Sequence, residues 1–184
     1  MKCFVPDSQR NLFADFFTRR IDTEVLVRGL GGDPVGLSAD WLHRGMIVMD
    51  AEAIELALFL GFRFGFAPGV GPDLVSLACA DWHTRHEDVV DAIADLKVEE
   101  GIDALVQLTS FDLAYRDFDD SDALATKCLW ALAKIGTGRA LQKLIEFRGS
   151  SHPGRSVLAA ELIRWLAQNA SSSEVKRAAA LEVR

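Results

Sequence analysis

Sliding the chain against itself by 39 residues brings Val90 onto Leu129, Ala92 onto Ala131, Ile93 onto Leu132 and Leu96 onto Ile135. The same offset continues with Gly101 onto Ala140, Ile102 onto Leu141, Leu105 onto Leu144 and Leu108 onto Phe147. Small or apolar character is kept at all eight pairs, across two helix-length segments and the turn between them. A second offset, of 31, pairs Leu129, Ala131, Leu132 and Ile135 with Ala160, Leu162, Ile163 and Leu166. One short helical hairpin cannot bury both of its faces, so copies must stack to share a core. The expected fold is therefore all-α: a single domain over 1–184, with a short α-solenoid of helical hairpins over 49–184 and an irregular N-terminal helical cap over 1–48. At 184 residues, 49% of them hydrophobic and 26% charged, the chain can fold without staples of disulfide or metal.

Local signals mark the helices. Asp50 can cap a helix bearing Ile54, Leu58 and Phe62, and Pro72-Asp73 opens the next, with Leu74, Leu77 and Ala78 on one face. Thr84-Arg85-His86-Glu87 has the capping-box form ahead of Val89, Val90, Ile93 and Leu96. Gly136 stops the stripe that runs from Ala125 through Cys128 to Ile135, and Thr137 can cap its successor. Pro153 suits a first turn, with Val157, Ala160, Leu162 and Leu166 inside, and Ser171-x-x-Glu174 opens a last helix. In the cap, Phe13, Phe16, Phe17 and Val25–Val27 suggest one or two helices, and Gly29–Gly36 with Pro34 reads as a loop.

The run Cys128-Leu129-Trp130-Ala131-Leu132-Ala133-Lys134-Ile135-Gly136-Thr137-Gly138-Arg139-Ala140-Leu141, continuing through Leu144 and Ile145, resembles a HEAT-like repeat. It carries the Ala-Leu pair, the Ile-Gly turn and the Ala-x-x-x-Leu continuation of that pattern. Asp88–Leu108 resembles a more divergent copy that lacks the Ile-Gly turn. Asp81-Trp82-His83-x-x-His86-Glu87-Asp88, an Asp-rich connection, and Ala125-Thr126-Lys127 ahead of Cys128 together resemble small bacterial HEAT-repeat immunity proteins. That resemblance implies a cytoplasmic, non-enzymatic module that neutralises a polymorphic or contact-dependent toxin. HEAT-like bilin lyases and alkylpurine DNA glycosylases, or a plain scaffold, are the alternatives it leaves open.

Charge points the same way. Residues 81–122 hold thirteen Asp and Glu against three Lys and Arg, a balance of −10, whereas residues 123–184 hold four against ten, or +6. The whole chain is at −7, which argues against a general nucleic-acid binder. A concentrated acidic field with aromatic anchors suits a toxin with a basic cleft. The candidate partner-binding residues are Trp82, Asp112, Tyr115, Asp117, Phe118, Asp119 and Asp120. Part of this acidity has a local explanation, since Asp119, Asp120 and Asp122 precede a helix and favour its dipole.

Other chemistry is poorly supported. Asp117-x-Asp119-Asp120-x-Asp122 lacks the glycine and the later glutamate of a calcium loop. His83-x-x-His86 has no further histidine at metal spacing, and the single His86-Glu87 pair falls short of the several that deoxyhypusine hydroxylase uses for iron. Cys79 and Cys128 fall on apolar helix faces as buried thiols, and the odd number of isolated cysteines, with no C-x-x-C spacing, suggests a reducing compartment. Gly29-x-Gly31-Gly32 and Gly65–Gly71 follow no strand, so no phosphate cradle is expected. No catalytic residue, metal or cofactor is assigned. Lys127 is expected to pair with a nearby Asp, and Trp130 to pack between repeats. Ile54–Val70, the most apolar stretch, contains Glu55 and Arg63 and is too short to span a bilayer.

Overall fold

The computed structural model describes residues 3–111, 113, 115 and 122–183. Among the described residues the chain is all-α, with eleven α-helices, one 3-10 turn and no strand. It divides into two compact units: residues 1–73 with 82–85, and residues 74–81 with 86–184.

The first unit contains α1 (Asp7–Phe17), α2 (Thr23–Leu30), α3 (Pro34–Val48) and α4 (Ala51–Phe64). The expected loop over Gly29–Gly36 is largely helix. Asp33 caps α3, its carboxylate accepting from the Gly36 N–H at 2.9 Å, and Pro34 sits in the first turn, where its missing N–H costs nothing. Only Gly31–Asp33 breaks the chain, with Gly31 left-handed at φ 71°. Asp50 caps α4 as the sequence suggests, accepting from Ala53 N–H at 3.1 Å, and it also takes the Phe4 N–H at 2.9 Å. Helix α4, counted in the sequence among the stacked hairpins, packs on α3. The two helices approach closely at Gly45, where a Cβ would lie 2.9 Å from the Ile54 side chain. Phe13 anchors the unit, its ring 6.0 Å from Trp41 and 5.7 Å from Phe59. Beside Asp50, burial pushes the Cys3 thiol up to about 11, so it is protonated and unreactive at neutral pH.

Helix α5 (Gly71–Ala78) contributes to the second unit from Leu74 onward, followed by α6 (His86–Asp95), α7 (Ile102–Leu108), α8 (Ala123–Ile135), α9 (Gly138–Arg148), α10 (Pro153–Asn169) and α11 (Ser173–Glu182). Helices two apart in sequence are neighbours. Thus α8 touches both α6 and α10, and α9 touches both α7 and α11, giving two rows that meet along α7–α8, α8–α9, α9–α10 and α10–α11. The core follows the 39-residue offset, with both members buried at six of the eight pairs. The exceptions are Leu96, which lies past the end of α6 and is 40% exposed, and Phe147, which is half-buried. Gly101 sits at a close approach, since a Cβ there would meet Ile93 at 2.9 Å. In α10 the register differs from expectation: Val157 faces outward and Ala159 takes the core position.

The remaining ends are set by their local chemistry. Thr137 caps α9, Gly136 closes α8 at φ 65°, and Pro153 starts α10. The last cap is Ser172 in place of Ser171. Helix α6 begins at His86, and the Arg85 N–H donates to His83 Nδ1 at 3.1 Å within the first unit.

Candidate functional site

Of the candidate partner-binding residues, Asp112, Asp117, Phe118, Asp119 and Asp120 lie outside the described residues. Trp82 belongs to the first unit, where its half-buried ring meets His83 edge-on at 5.3 Å. Tyr115 belongs to the second unit and is 38% exposed. Its hydroxyl lies 2.9 Å from Nδ1 of the fully buried His86, with the two rings stacked. His86 Nε2 lies 2.7 Å from the Ala80 carbonyl. A carbonyl only accepts, so Nε2 carries the proton, and in the neutral ring Nδ1 accepts from the Tyr115 hydroxyl. One ring nitrogen thereby ties Tyr115 to α6, and the other ties α6 to the Ala80 carbonyl. Among the described residues no three His, Cys, Asp or Glu side chains come together in a set that could hold a metal ion. No described helix is long and apolar enough to cross a membrane.

The charge segregation read from the sequence has a structural use. Lys127 on α8 reaches back to α6, with Nζ 2.8 Å from Asp91 and 3.5 Å from Glu87. Lys134 meets Asp95 at 3.4 Å, and Arg139 on α9 meets Asp103 on α7. Arg155 on α10 grips Asp122 through Nε and an Nη nitrogen, at 2.8 and 2.7 Å. The acidic middle and basic end are thus stitched together by pairs 33 to 40 residues apart. Glu87 lies within reach of Lys127 from the head of α6. Asp122, at the head of α8, makes no side-chain cap and turns to Arg155. Lys127 has the carboxylate partner expected of it: burial works to lower its pKa, but Asp91 and Glu87 outweigh burial and hold it above the usual lysine value.

These contacts differ in strength. Half-exposed pairs such as Lys134–Asp95 contribute well under 1 kcal/mol each. The forked, partly buried Arg155–Asp122 contact raises the arginine pKa and is the strongest of the set. Asp122→Asn keeps the shape and removes the charge. It is expected to lower the unfolding free energy by about 1–2 kcal/mol in urea titrations, against a change near zero for Asp95→Asn.

The described surface of the second unit carries one feature that the sequence reading overlooked. Trp130 on α8 and Trp165 on α10 meet edge-on, ring centroids 6.3 Å apart, yet remain 40% and 37% exposed. Trp130 does pack across successive helices, as expected, but it is not enclosed there. An open groove of about 410 Å³ lies beside it, walled by Glu87 and Asp91 of α6 and by Ala123, Thr126, Lys127, Trp130 and Lys134 of α8. A second recess of about 230 Å³ shares Lys134 and is closed by Trp165, Asn169 and Ala170. The signal for this face was present in the helix register. Leu162, Ile163 and Leu166 are buried, as are Leu129, Leu132 and Ala133, so a tryptophan at 165 or 130 must point off the core side. Large aromatics placed outward on two adjacent helices have the composition of a recognition surface. No family model, curated protein or solved structure matches the chain.

Proposed function

We propose that this chain is a non-enzymatic protein-binding module, a HEAT-like stack of helical hairpins that acts as a bacterial immunity protein and occludes a cognate toxin in the cytoplasm. The observation that carries the reading is the Trp130–Trp165 pair, two large aromatic side chains in edge-on contact and each more than a third exposed. Interfaces draw most of their energy from a few tryptophans, tyrosines and arginines set in a groove and ringed by polar groups. Here Glu87, Asp91, Lys127 and Lys134 form that ring. The acidic segment 112–120 supplies a long-range field that speeds capture of a basic partner, while the tryptophans hold it once docked.

The ion-pair ladder weighs against a DNA-glycosylase-like role. Lys127, Lys134, Arg139 and Arg155, four of the basic residues that a phosphate backbone would need, are already engaged by carboxylates. A lyase-like role has no comparable feature in its favour.

The direct test is co-expression with any toxin found encoded beside this chain. Stoichiometric co-purification together with rescue of growth is the expected outcome. Failure of both, with a correctly folded chain, removes the immunity reading.

A further inference from the structure

The recess closed by Trp165 holds a residue that its backbone would not choose. Its walls are the ends of three helices: Asp95 and Lys97 of α6 and the turn after it, Lys134 and Gly136 of α8, and Trp165 and Ser171 of α10 and just beyond. In the 39-residue alignment Lys97 stands opposite Gly136, and both are left-handed, at φ 52° and 65°. Each closes its helix. The Lys97 N–H donates to the Ala94 carbonyl and the Val98 N–H to that of Ile93, while the Gly136 N–H donates to that of Leu132. Glycine takes this conformation freely, whereas a side chain there costs stability. Lysine carries that cost at position 97, and among the described residues nothing pairs with its ammonium to offset it.

Charge and hydrogen bonding single out the same place. Lys134 meets Asp95 at 3.4 Å, so two ammonium groups against one carboxylate leave the recess with one positive charge in excess. Ser171 yields the cap of α11 to Ser172 and so keeps its hydroxyl. Neither that hydroxyl nor the Trp165 indole N–H has a partner among the described residues. The carbonyls of the helix ends weigh against an anion, but those of Ile93, Ala94, Leu132 and Leu166 are occupied by their own caps.

We infer that this recess binds a carboxylate of the partner, which accepts from the Lys97 ammonium and the Ser171 hydroxyl beside the Trp165 indole. This rests on the protein-binding reading and names one group the partner must carry. A volume of about 230 Å³ admits a carboxylate and the methylenes behind it. One excess positive charge matches a carboxylate, whereas a phosphate group carries about −1.5 to −2 and would stay half-neutralised. A cationic group would add to the excess. An acidic side chain and the C-terminus of a polypeptide present the same group, and experiment separates them.

Lys97→Gly in the full-length protein tests both halves of the argument. It removes the ammonium and suits the backbone, so its urea midpoint should hold or rise while binding falls. Four probes are titrated at millimolar concentration, read by the Trp165 indole N–H resonance and the Ser171 amide. They are a glycine peptide blocked at both ends with one central glutamate, the same peptide with glutamine, an all-glycine peptide with a free C-terminus, and inorganic phosphate. The glutamate peptide, the free-ended peptide or both should shift the two signals in a saturable way, and whichever does so identifies the source of the carboxylate. The glutamine peptide should shift neither. Lys97→Gly should weaken the response by about ten-fold and Ser171→Ala by about three-fold. The inference is overturned if neither carboxylate moves Trp165, if glutamine or phosphate binds as tightly as the carboxylates, or if Lys97→Gly binds unchanged. A fall in the Lys97→Gly midpoint overturns the premise that lysine is held there against its backbone. Capture of the cognate toxin separates the two levels. A toxin held equally by Lys97→Gly leaves protein binding standing and discards the recess as a partner site. A chain that captures no toxin yet binds a carboxylate peptide through Lys97 keeps the recess and loses the immunity reading.

Discussion

Leu132→Ala is expected to lower the unfolding free energy of the second unit by about 3 kcal/mol, enough to shift a urea midpoint well outside measurement error. Leu132 is fully buried in α8, the helix that touches α6, α7, α9 and α10, so no single neighbour can move in to close the space left behind. The cost combines lost transfer free energy with a cavity that relaxes only partly. Leu96→Ala is the informative control. In the 39-residue alignment Leu96 stands opposite Ile135, a core position, but it lies beyond the last turn of α6 and is 40% exposed. Its truncation should cost under about 1 kcal/mol. If both substitutions were equally damaging, the described end of α6 and the register of its packing would be wrong.

That contrast marks how far the sequence could be read. The rows of α6–α8–α10 and α7–α9–α11 were visible because burial imposes a helical period that recurs with each pair, and because caps such as Asp50 and Thr137 act within four residues of themselves. The same locality limits the reading. Asp122 sits where a cap would use it, and its carboxylate is claimed by Arg155, 33 residues away. Sequence spacing does not reveal that partner, and the forked contact to a guanidinium outweighs one bond to a backbone N–H. Pro34 was misread for a different reason. Proline both ends helices and begins them, and only the preceding Asp33 distinguishes the two uses. The tryptophan face was missed because its members lie on separate helices, and nothing local to Trp165 announces Trp130.

The same face yields the largest functional effect expected of this protein. Replacing Trp130 and Trp165 together by alanine should weaken a cognate toxin complex by about 10²- to 10³-fold, chiefly through faster dissociation. The single replacements should sum to a different loss from the double one, since each ring leans on the other and truncating either leaves its neighbour less well placed. Unchanged helical circular dichroism would show that the fold survives, as the exposure of both rings implies. Charge reversal at Asp117, Asp119 and Asp120 should act on the other rate constant. It should slow association several-fold and flatten its dependence on salt, with little effect on dissociation, because a field steers encounter over a Debye length of about 8 Å whereas packed aromatics act only in contact. Stopped-flow association and surface-based dissociation measurements at two ionic strengths separate these effects. Should the double tryptophan variant bind unchanged while charge reversal abolishes the complex, the partner docks on the acidic segment and the groove has no part in recognition. Should the dissociation rate follow the tryptophans and the association rate the aspartates, capture and retention reside in different parts of the second unit, and each can be tuned without the other.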